Sequence, residues 1–289
     1  MPSTVIQWFP GHMAKTRRLM KECLPLVDII IEILDSRIPL SSENPEIAHL
    51  IGSKPRLTVL SKSSLADPNA SNTWKNHYTN NGRNCIFIDC ITGSGMNDIA
   101  PAVREILAEK IDAYQRKGMT GRTLKAMVGG IPNVGKLSLI NKLAGLKKAK
   151  VEDRPGVTLT KQWVSTSIGI DLLDMPGVLW PKFDDQTVGE VLAMTGAIKD
   201  QILDLEHIAI LLCGRLREMY PDLLSERYKL GDMNQYSEME NYELFEMIGR
   251  KRGFLISGGE VNYERTSNIL LDEFRAAKIG RITLERPVK

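Results

Sequence analysis

A lysine that follows a glycine-rich turn carries the strongest chemical signal in this sequence. Residues 130–136 read Gly-Ile-Pro-Asn-Val-Gly-Lys, after an apolar run and before a segment with helical periodicity. Glycines let consecutive backbone N–H groups face phosphate oxygens, and the helix N-terminus and the lysine add positive charge. The sequence of strand, loop and helix predicts a phosphate-binding loop. Its predicted phosphate contacts are Asn133, Val134, Gly135, Lys136, Leu137, Ser138 and, from a later loop, Gly177.

The residue directly after this lysine departs from the usual phosphate-loop pattern. A serine or threonine there supplies a hydroxyl ligand to Mg²⁺, whereas Leu137 has no oxygen to offer. Ser138 follows one helical position later, where its side chain points about 100° away. Three interpretations remain open: the loop shifts by one residue, the metal is held otherwise, or metal-dependent hydrolysis is impaired.

Two later segments fit the switch and metal positions of a nucleotide hydrolase. Asp174-Met175-Pro176-Gly177 follows an apolar run. A carboxylate at a strand end can hold Mg²⁺ through water, and a glycine three residues later can offer its N–H to a γ-phosphate. Thr158 lies between the two loops, where its hydroxyl would approach the metal once a γ-phosphate orders the segment. This order and spacing indicate a GTPase.

The guanine-recognition residues of a GTPase are missing downstream of Gly177, but candidates occur upstream of the phosphate loop. One segment, residues 61–64, follows an apolar strand, and a second, beginning at residue 89, ends the next strand. They occupy the places of the motif that grips guanine and of the following base-contact loop. A doubly wound sheet tolerates such a circular permutation because its chain ends lie close together. The predicted guanine contacts are Ser61, Lys62, Ser63, Ser64, Asp89 and Cys90.

The elements that must position these residues follow from hydrophobic patterning. Short runs rich in Ile and Val alternate with helix-compatible stretches, one of them over residues 99–114, and predict a mostly parallel sheet covered on both faces. Beyond about residue 180 only amphipathic helices are indicated. The predicted fold is therefore α/β: a circularly permuted P-loop GTPase domain with a doubly wound sheet at residues 1–180, followed by a smaller all-helical domain at residues 181–289.

Composition restricts the class of protein further. The 289 residues carry 38 Lys and Arg against 35 Asp and Glu, a net charge of +3, and 43% are hydrophobic. No stretch approaches the roughly 20 apolar residues of a membrane span, and the N-terminus lacks the layout of a secretory signal. The four cysteines are scattered without metal-ligand spacing. We expect a cytoplasmic protein with no membrane partner.

The basic residues are clustered rather than evenly spread, which is the pattern that nucleic-acid binding requires. Clusters occur on the first predicted helix, around the phosphate loop, and near the C-terminus, whereas acidic residues concentrate at residues 238–246. A charge run is commonly only the solvated face of a helix. Together with the resemblance described next, the clusters favour RNA contact, and the triple Arg250, Lys251 and Arg252 is the predicted RNA-binding segment.

Several motifs together resemble one family over essentially the whole chain. They are Gln7-Trp8-Phe9-Pro10-Gly11-His12-Met13-Ala14-Lys15, Asp35-Ser36-Arg37-Ile38-Pro39, residues 130–136, Asp153-Arg154-Pro155-Gly156, residues 177–183, residues 195–200 and Ser257-Gly258-Gly259. The chain is similar to the circularly permuted ribosome biogenesis GTPase A (RbgA/YlqF) family. The resemblance implies a cytosolic bacterial factor that binds GTP and Mg²⁺, contacts large-subunit rRNA, and acts on a late precursor of the 50S subunit. We expect the protein to be monomeric when it is free.

The resemblance also assigns roles to individual residues. It makes His12 the catalytic group, because Val178 stands where other GTPases place a water-orienting glutamine. The alternative for His12 is a structural histidine beside two aromatic residues. Asn133 matches an asparagine that family members use with K⁺, so K⁺ is an expected cofactor. Four departures affect the nucleotide site: the Asn-Lys-x-Asp motif reads Ser-Lys-Ser-Ser, and the other positions are Leu137, Met175 and Cys90.

Two functions therefore compete at this point. The first is a GTP-dependent ribosome assembly factor released by hydrolysis. The second is a non-hydrolysing pseudo-GTPase that serves as a ribosome- or RNA-binding module. Both keep the fold and the basic surfaces, and they differ at Leu137, Ser61 and Ser64, where hydrolysis and guanine binding would be weakened.

Overall fold

The computed structural model describes residues 13–119, 121–145, 162–177, 179, 183 and 185–287, and in residues 13–15 the backbone alone. His12, Thr158 and Val178 lie outside these ranges. Their predicted roles in catalysis, in the switch and beside the γ-phosphate therefore stay predictions.

Within the described ranges, six strands form one sheet in the order β3-β2-β1-β4-β6-β5. The strands are β1 (Ile29–Asp35), β2 (Arg56–Ser61), β3 (Cys85–Phe87), β4 (Leu124–Gly129), β5 (Gln162–Ser165) and β6 (Ile170–Asp174). All neighbours are parallel except β5, which pairs with β6 in the antiparallel sense. The predicted mostly parallel α/β sheet is confirmed.

The sheet is a buried layer, as its apolar strands require. All seven residues of β1, Ile-Ile-Ile-Glu-Ile-Leu-Asp, are buried, which is the pattern of a strand covered on both faces. The helices of this part of the chain are α1 (Met13–Cys23), α2 (Pro45–Ile51), α3 (Pro68–Asn80), α4 (Ile99–Ile106), α5 (Ala108–Arg116) and α6 (Lys136–Ala144). Side chains of α1 and α2 pack with Ile30, Met127 and Leu173 in one apolar cluster.

The strand order places a switch point between β1 and β4. The chain runs outward from β1 through β2 to β3 and then returns, so that β4 pairs with the other side of β1. In open α/β sheets, ligands bind at the carboxyl ends of the strands beside such a point. The loop after β4 is the phosphate-loop segment, residues 130–135, and the loops after β2 and β3 hold the predicted guanine contacts.

The described residues divide into two compact units. The second unit, residues 183–284, is helical and consists of α7 (Gln186–Met194), α8 (Leu205–Met219), α9 (Pro221–Tyr228), α10 (Asn241–Lys251) and α11 (Tyr263–Arg275). Helix α8 contacts each of the other four. Arg275 stabilises this unit by donating to Asp200 at 2.8 and 2.9 Å and to the carbonyl oxygen of Met194 at 3.0 Å.

The last described residues, 285–287, belong to the first unit. The Glu285 carboxylate accepts hydrogen bonds from the backbone N–H groups of Leu40, at 2.7 Å, and Ser41, at 3.1 Å. The indole N–H of Trp74 donates to the Glu285 carbonyl oxygen at 3.3 Å. Backbone donors without a secondary-structure partner thereby hold the end of the chain on the sheet domain.

One helical segment differs from the sequence-based expectation. The single helix predicted over residues 99–114 is broken at Leu107, which has φ −100° and ψ 14° and is buried between α4 and α5. Helix α11 agrees with the prediction that only helices follow residue 180, and Asn262 caps it by accepting from Arg265 N–H at 2.9 Å. Its buried residues Leu270, Leu271 and Phe274 follow helical spacing.

Candidate nucleotide-binding site

The loop between β4 and α6 has the backbone geometry of a phosphate-binding loop. Gly130, Asn133 and Gly135 all have positive φ, at 149°, 58° and 98°. A Cβ at Gly130 would lie 2.5 Å from the Ile33 carbonyl oxygen, so only glycine fits this approach to β1. Asn133 is exposed, whereas its neighbour Val134 is buried and anchors the loop. The predicted loop is therefore formed around the N-terminus of α6.

Lys136 begins α6 and is 8% exposed. Its Nζ donates to the carbonyl oxygens of Gly130 and Ile131, at 3.1 and 2.6 Å. Burial lowers the pKa of Lys136 to about 8, although the Asp174 carboxylate opposes that shift. The Lys136 ammonium and the N-terminus of α6 are both positively charged. Together they attract an anion such as a phosphate.

Gly177 approaches this loop so closely that a side chain has no room. A Cβ at this position would lie 2.9 Å from Lys136 Nζ and 2.9 Å from the Pro132 backbone. Asp174, three residues earlier, ends β6 opposite Val128 of β4 and is 6% exposed. The structure thus brings the Asp-x-x-Gly segment against the phosphate loop.

The magnesium position fits less well. Leu137 and Ser138 are half-buried on the first turn of α6, and Leu137 offers no oxygen. Asp174 offers a carboxylate beside this loop, and residues 13–119, 121–145, 162–177 and 185–287 contain no group of three His, Cys, Asp or Glu side chains suited to a metal. Mg²⁺ prefers octahedral oxygen coordination, so the donor set at this site is reduced on the protein side.

Met175 has a structural explanation. Its side chain is fully buried in the apolar cluster with Met20, Met127 and Leu173. The departure from the family pattern at this position therefore adds to the core, and it leaves the neighbouring Asp174 at the end of β6.

Ser61 links the phosphate loop to the sheet. It ends β2, is 2% exposed, and donates its hydroxyl to the carbonyl oxygen of Val134 at 2.5 Å, with the Leu34 carbonyl oxygen at 2.9 Å. A Cβ at Gly135 would be 3.8 Å from Ser61 Oγ, which confirms how closely the two segments approach. A serine in place of the asparagine of the family motif thus still connects the guanine-side strand to the phosphate loop.

Lys62 adopts a left-handed backbone conformation and belongs to a buried ionic group that the sequence did not reveal. Its Nζ donates to Asp35 at 2.9 Å, and Arg37 binds the same carboxylate through two side-chain nitrogens at 2.9 and 2.7 Å. Burial would raise the pKa of Asp35, but the charges of Arg37 and Lys62 outweigh it and hold that pKa well below its usual range. This group holds Lys62 beside the carboxyl end of β1. The sequence feature that could have revealed it is the Asp-x-Arg spacing at the end of β1.

Ser64 and Asp89 contact each other across the ends of β2 and β3. Asp89 is 2% exposed, and its Oδ2 accepts from the Ser64 hydroxyl and, at 3.3 Å, from the Ser64 backbone N–H. Its Oδ1 accepts from the N–H groups of Ile91 and Thr92, each at 2.8 Å. Burial opposes ionisation, but these hydrogen bonds lower the pKa of Asp89 below its ordinary value. Asp89 is therefore an ionised buried carboxylate beside Ser64.

The two other predicted guanine contacts, Ser63 and Cys90, lie in the loops that follow β2 and β3. The Ser63 backbone N–H donates to the Ile88 carbonyl oxygen at 3.1 Å, which joins the two loops. Cys90 is half-buried, and burial, followed by the Asp89 charge, raises the pKa of its thiol to about 11. Cys90 is therefore a neutral thiol at physiological pH. Asp67, three residues beyond Ser64, is the N-cap of α3, as expected for an acidic residue before a proline.

The predicted RNA-binding triple lies in the second unit, at the C-terminal end of α10. Arg250 donates to the Gly259 carbonyl oxygen at 3.1 Å, and Lys251 is exposed. Arg252 differs from both because it donates at 3.2 Å to Glu273, which is 5% exposed. Arg252 therefore pairs with a buried carboxylate in this unit, and all three residues of the triple are exposed.

The sheet order, the glycine-lined loop and the close Asp-x-x-Gly segment define a P-loop protein of the GTPase class in which the base-side segments precede the phosphate loop. A family model described as "50S ribosome-binding GTPase" matches residues 125–235. Ribosome biogenesis GTPase A of Bacillus licheniformis is 46% identical over 98% of this chain and 99% of its own length. The chain belongs to the ribosome biogenesis GTPase A family.

More distant relatives agree with this placement. Mitochondrial ribosome-associated GTPase 1 of Mus musculus is 32% identical over 98% of this chain and 91% of its own length. The GNP-bound crystal structure of YlqF from T. maritima superposes with a TM-score of 0.63, at 24% identity, over 94% of this chain and 98% of that one. That likeness concerns the fold. Among the described helices, none has the length and apolar character of a membrane span.

Proposed function

We propose that this chain is a cytoplasmic guanine-nucleotide-binding factor that assists a late step of 50S ribosomal subunit assembly. The observation that supports nucleotide binding best is the phosphate-loop backbone, with positive φ at Gly130, Asn133 and Gly135 before Lys136 at the start of α6. The family membership supports the ribosomal role. The relatives' names associate those proteins with ribosome biogenesis and with mitochondrial ribosomes.

In this proposal the two parts of the chain divide the work. Residues 1–180, together with the chain end at residues 285–287, form the GTPase domain, and the helical residues 183–284 contact rRNA in the subunit precursor. Asn133, Val134, Gly135 and Lys136 hold the phosphates, and the loops at residues 61–64 and 89–90 hold the base. The free protein is a monomer.

Hydrolysis depends on residues that are mostly outside the described ranges. His12 would act on the attacking water, Thr158 would approach the metal, and Asp174 would hold Mg²⁺ through water. Bound Mg²⁺ would stabilise charge on the β- and γ-phosphates, and K⁺ beside Asn133 would add to that stabilisation. Because Leu137 removes one oxygen ligand, we propose that the Mg²⁺ site is weak and that hydrolysis is slow.

A second candidate function is a non-hydrolysing pseudo-GTPase that binds the ribosome precursor. The observation that favours it is again the missing oxygen at Leu137, since the rest of the described loop keeps its geometry. In this case nucleotide binding would survive without turnover, and binding to the precursor would not depend on which nucleotide is present.

GTP turnover with and without 50S precursor particles separates the two functions. The wild type is compared with Leu137→Ser, which restores the hydroxyl, and with Leu137→Val, a control of similar polarity without an oxygen. Slow particle-stimulated turnover that rises about tenfold or more in Leu137→Ser supports the first function. Turnover absent in all three proteins, with particle binding retained, supports the second. Loss of particle binding under every nucleotide condition contradicts both.

Variants that test the rRNA contact leave Arg252 in place, because its guanidinium pairs with the buried Glu273. We expect Arg250→Glu with Lys251→Glu to weaken co-sedimentation with 50S precursors. The slope of log affinity against log salt concentration should fall by the amount expected for about two lost phosphate contacts. Lys75→Glu, on the exposed surface of α3, is the matched control. Unchanged sedimentation of the double variant would remove this segment from the interface.

A further inference from the structure

The guanine side of the pocket contains a carboxylate, but not at the motif position where the family carries one. Position 64 is a serine, and the carboxylate that lies against it belongs to Asp89 on the neighbouring loop. This arrangement raises the question of what the pair presents to a bound base. It rests on the nucleotide binding proposed above and concerns how that site selects its base.

Asp89 is fixed in place and does not turn toward a ligand. Both of its carboxylate oxygens already accept two hydrogen bonds each, from Ser64 on one side and from the Ile91 and Thr92 amides on the other. Its backbone N–H donates to the Ser94 carbonyl oxygen at 2.9 Å, and its own carbonyl oxygen accepts from Gly93 N–H at 2.8 Å. Because all its lone pairs are used and it is 2% exposed, Asp89 acts only through Ser64.

The hydrogen-bond inventory of Ser64 then has one solution. A serine hydroxyl has one proton to donate and two lone pairs to accept with, and an ionised carboxylate can only accept. The Ser64 proton therefore points to Asp89. What remains for a ligand is an oxygen that accepts hydrogen bonds and that is polarised by the charge behind it.

We propose that Asp89 takes over the role of the guanine-recognising carboxylate that the family carries at position 64. Asp89 does so indirectly, through a relay: it fixes the Ser64 hydroxyl, whose oxygen then accepts a hydrogen bond from the base. Ser64 is the specificity-determining residue and Asp89 its positioning residue. Ser64 is half-buried at the carboxyl edge of β2, two strands from β4 and the phosphate loop. Since neighbouring strands lie about 4.8 Å apart, Ser64 is about 10 Å from the phosphate loop, a distance that a nucleoside can bridge.

The relay selects by hydrogen-bond direction. Guanine presents the N1–H and 2-amino donors on its Watson–Crick edge, where adenine has the N1 acceptor and a C2–H. A fixed acceptor at Ser64 therefore favours guanine and leaves adenine with two acceptors facing each other. One hydroxyl oxygen also bonds fewer donors than a free carboxylate does. We therefore expect hypoxanthine, which keeps the N1–H but lacks the 2-amino group, to bind nearly as well as guanine.

Competition titrations test this selectivity. A fluorescent guanosine diphosphate is displaced from the full chain by GDP, IDP and ADP. We expect wild type to prefer GDP to ADP and to bind IDP within about threefold of GDP. Ser64→Ala should reduce the preference for GDP over ADP by about tenfold, whereas Ser64→Thr, which keeps the hydroxyl, should retain it. Thr73→Ala removes an exposed hydroxyl from α3 and serves as the control.

A double substitution tests the link between the two residues. Ser64→Asp alone places a second carboxylate against Asp89, and repulsion between them should prevent any gain in GDP affinity. Adding Asp89→Asn replaces that repulsion by an amide that donates to the new carboxylate and still accepts from the loop. We expect the double variant to bind GDP about tenfold or more tightly than wild type. Thermal unfolding of each variant establishes that it is folded.

The outcomes separate this inference from the proposed function. A wild-type protein that binds no guanine nucleotide overturns both. A wild type that binds GDP selectively, with the same selectivity in Ser64→Ala, overturns the relay alone. Equal GDP affinity of Ser64→Asp with and without Asp89→Asn also overturns it, because Asp89 would then have no influence on the base site.

Discussion

The hydroxyl of Ser61 donates to the carbonyl oxygen of Val134 across 73 positions of sequence, at 2.5 Å. Ser61 ends β2 and Val134 lies in the phosphate loop, so one hydrogen bond joins the guanine side and the phosphate side of the candidate site. The base-side strand is encoded before the phosphate loop in this permuted chain. The bond therefore brings together two parts of the site that are far apart in the sequence.

Removing this hydroxyl should destabilise the protein. Ser61→Ala leaves the buried carbonyl oxygen of Val134 without its donor, and we expect a loss of about 1–3 kcal/mol of unfolding free energy. Urea denaturation measures it, with Thr73→Ala as the control for an exposed hydroxyl. A difference below about 0.5 kcal/mol would show that the bond does not support the loop.

The space beside Lys136 gives a prediction for nucleotide affinity. Gly177→Ala puts a methyl group 2.9 Å from Lys136 Nζ and from the Pro132 backbone, so the loop or the lysine must shift. We expect GDP affinity to fall about tenfold or more. Gly129→Ala is the matched control, because its Cβ would meet only Ile47 Cδ1, at 3.9 Å. Isothermal titration calorimetry gives both affinities, and equal values would contradict the close approach.

The buried ionic group at the switch point predicts a large stability effect. Arg37→Ala removes the two guanidinium bonds to the Asp35 carboxylate and leaves Lys62 as its charged partner in a buried site, and we expect a loss of about 3–5 kcal/mol. Arg18→Ala removes an exposed pair with Glu22 and should cost less than about 0.5 kcal/mol. Similar losses in both variants, measured by urea denaturation, would argue against a structural role for Arg37.

Acid dependence provides a second readout of the same group. Since the folded pKa of Asp35 lies below the value of an unfolded aspartate, its stabilising contribution is complete above that unfolded value and is lost as the pH falls toward the folded one. Asp35→Asn should therefore lessen the acid-induced loss of stability below about pH 4. An unchanged acid profile of the variant, relative to wild type, would contradict this assignment.

Glu32 predicts a pH dependence of the opposite sign. It is fully buried in β1, where its Oε2 accepts from Arg56 at 3.0 Å, and its Oε1 has no hydrogen-bond partner in the described part of the chain. Burial raises the pKa of Glu32 to about 7, although the Arg56 charge opposes it. The unfolded chain therefore loses this proton at lower pH than the folded protein. Wild-type stability should fall as the pH rises from about 4.5 to 7.

A neutral isostere isolates this effect. Glu32→Gln cannot ionise, so its unfolding free energy relative to wild type should rise on the order of 1–3 kcal/mol between pH 4.5 and pH 7. Glu105→Gln, on the exposed side of α4, is the control. Chemical denaturation at several pH values measures the difference. A difference that is constant with pH would mean that Glu32 is ionised throughout.

Local signals in the sequence predicted the elements that carry the phosphate loop. Strand β4 runs from Leu124 to Gly129 as its apolar pattern indicates, and α6 begins at Lys136 directly after the glycine turn. Both are defined by neighbouring residues, namely a buried apolar run and a positive-φ glycine. The parallel sheet followed from the same kind of pattern, repeated along the chain.

The contacts that decide the site's chemistry could not be predicted in this way. The bonds from Ser61 to Val134 and from Ser64 to Asp89 join residues 73 and 25 positions apart, and neither pair has a local signature. Read singly, Ser61, Ser64 and Met175 are departures from a motif. In the folded protein, Ser61 makes a buried hydrogen bond, Ser64 makes a partly buried one and Met175 packs in the core, whereas Leu137 supplies no oxygen at the metal position.

The affinity for guanine nucleotides with and without Mg²⁺ tests the central claim most directly. The full chain is titrated with fluorescent GDP and GTP in Mg²⁺ and in chelator, with ADP as competitor. We predict saturable, guanine-selective binding whose dissociation constant changes less than about threefold when Mg²⁺ is removed, because Leu137 supplies no ligand. Absence of guanine binding, or an affinity that falls tenfold or more without Mg²⁺, would contradict a retained nucleotide site with a weakened metal position.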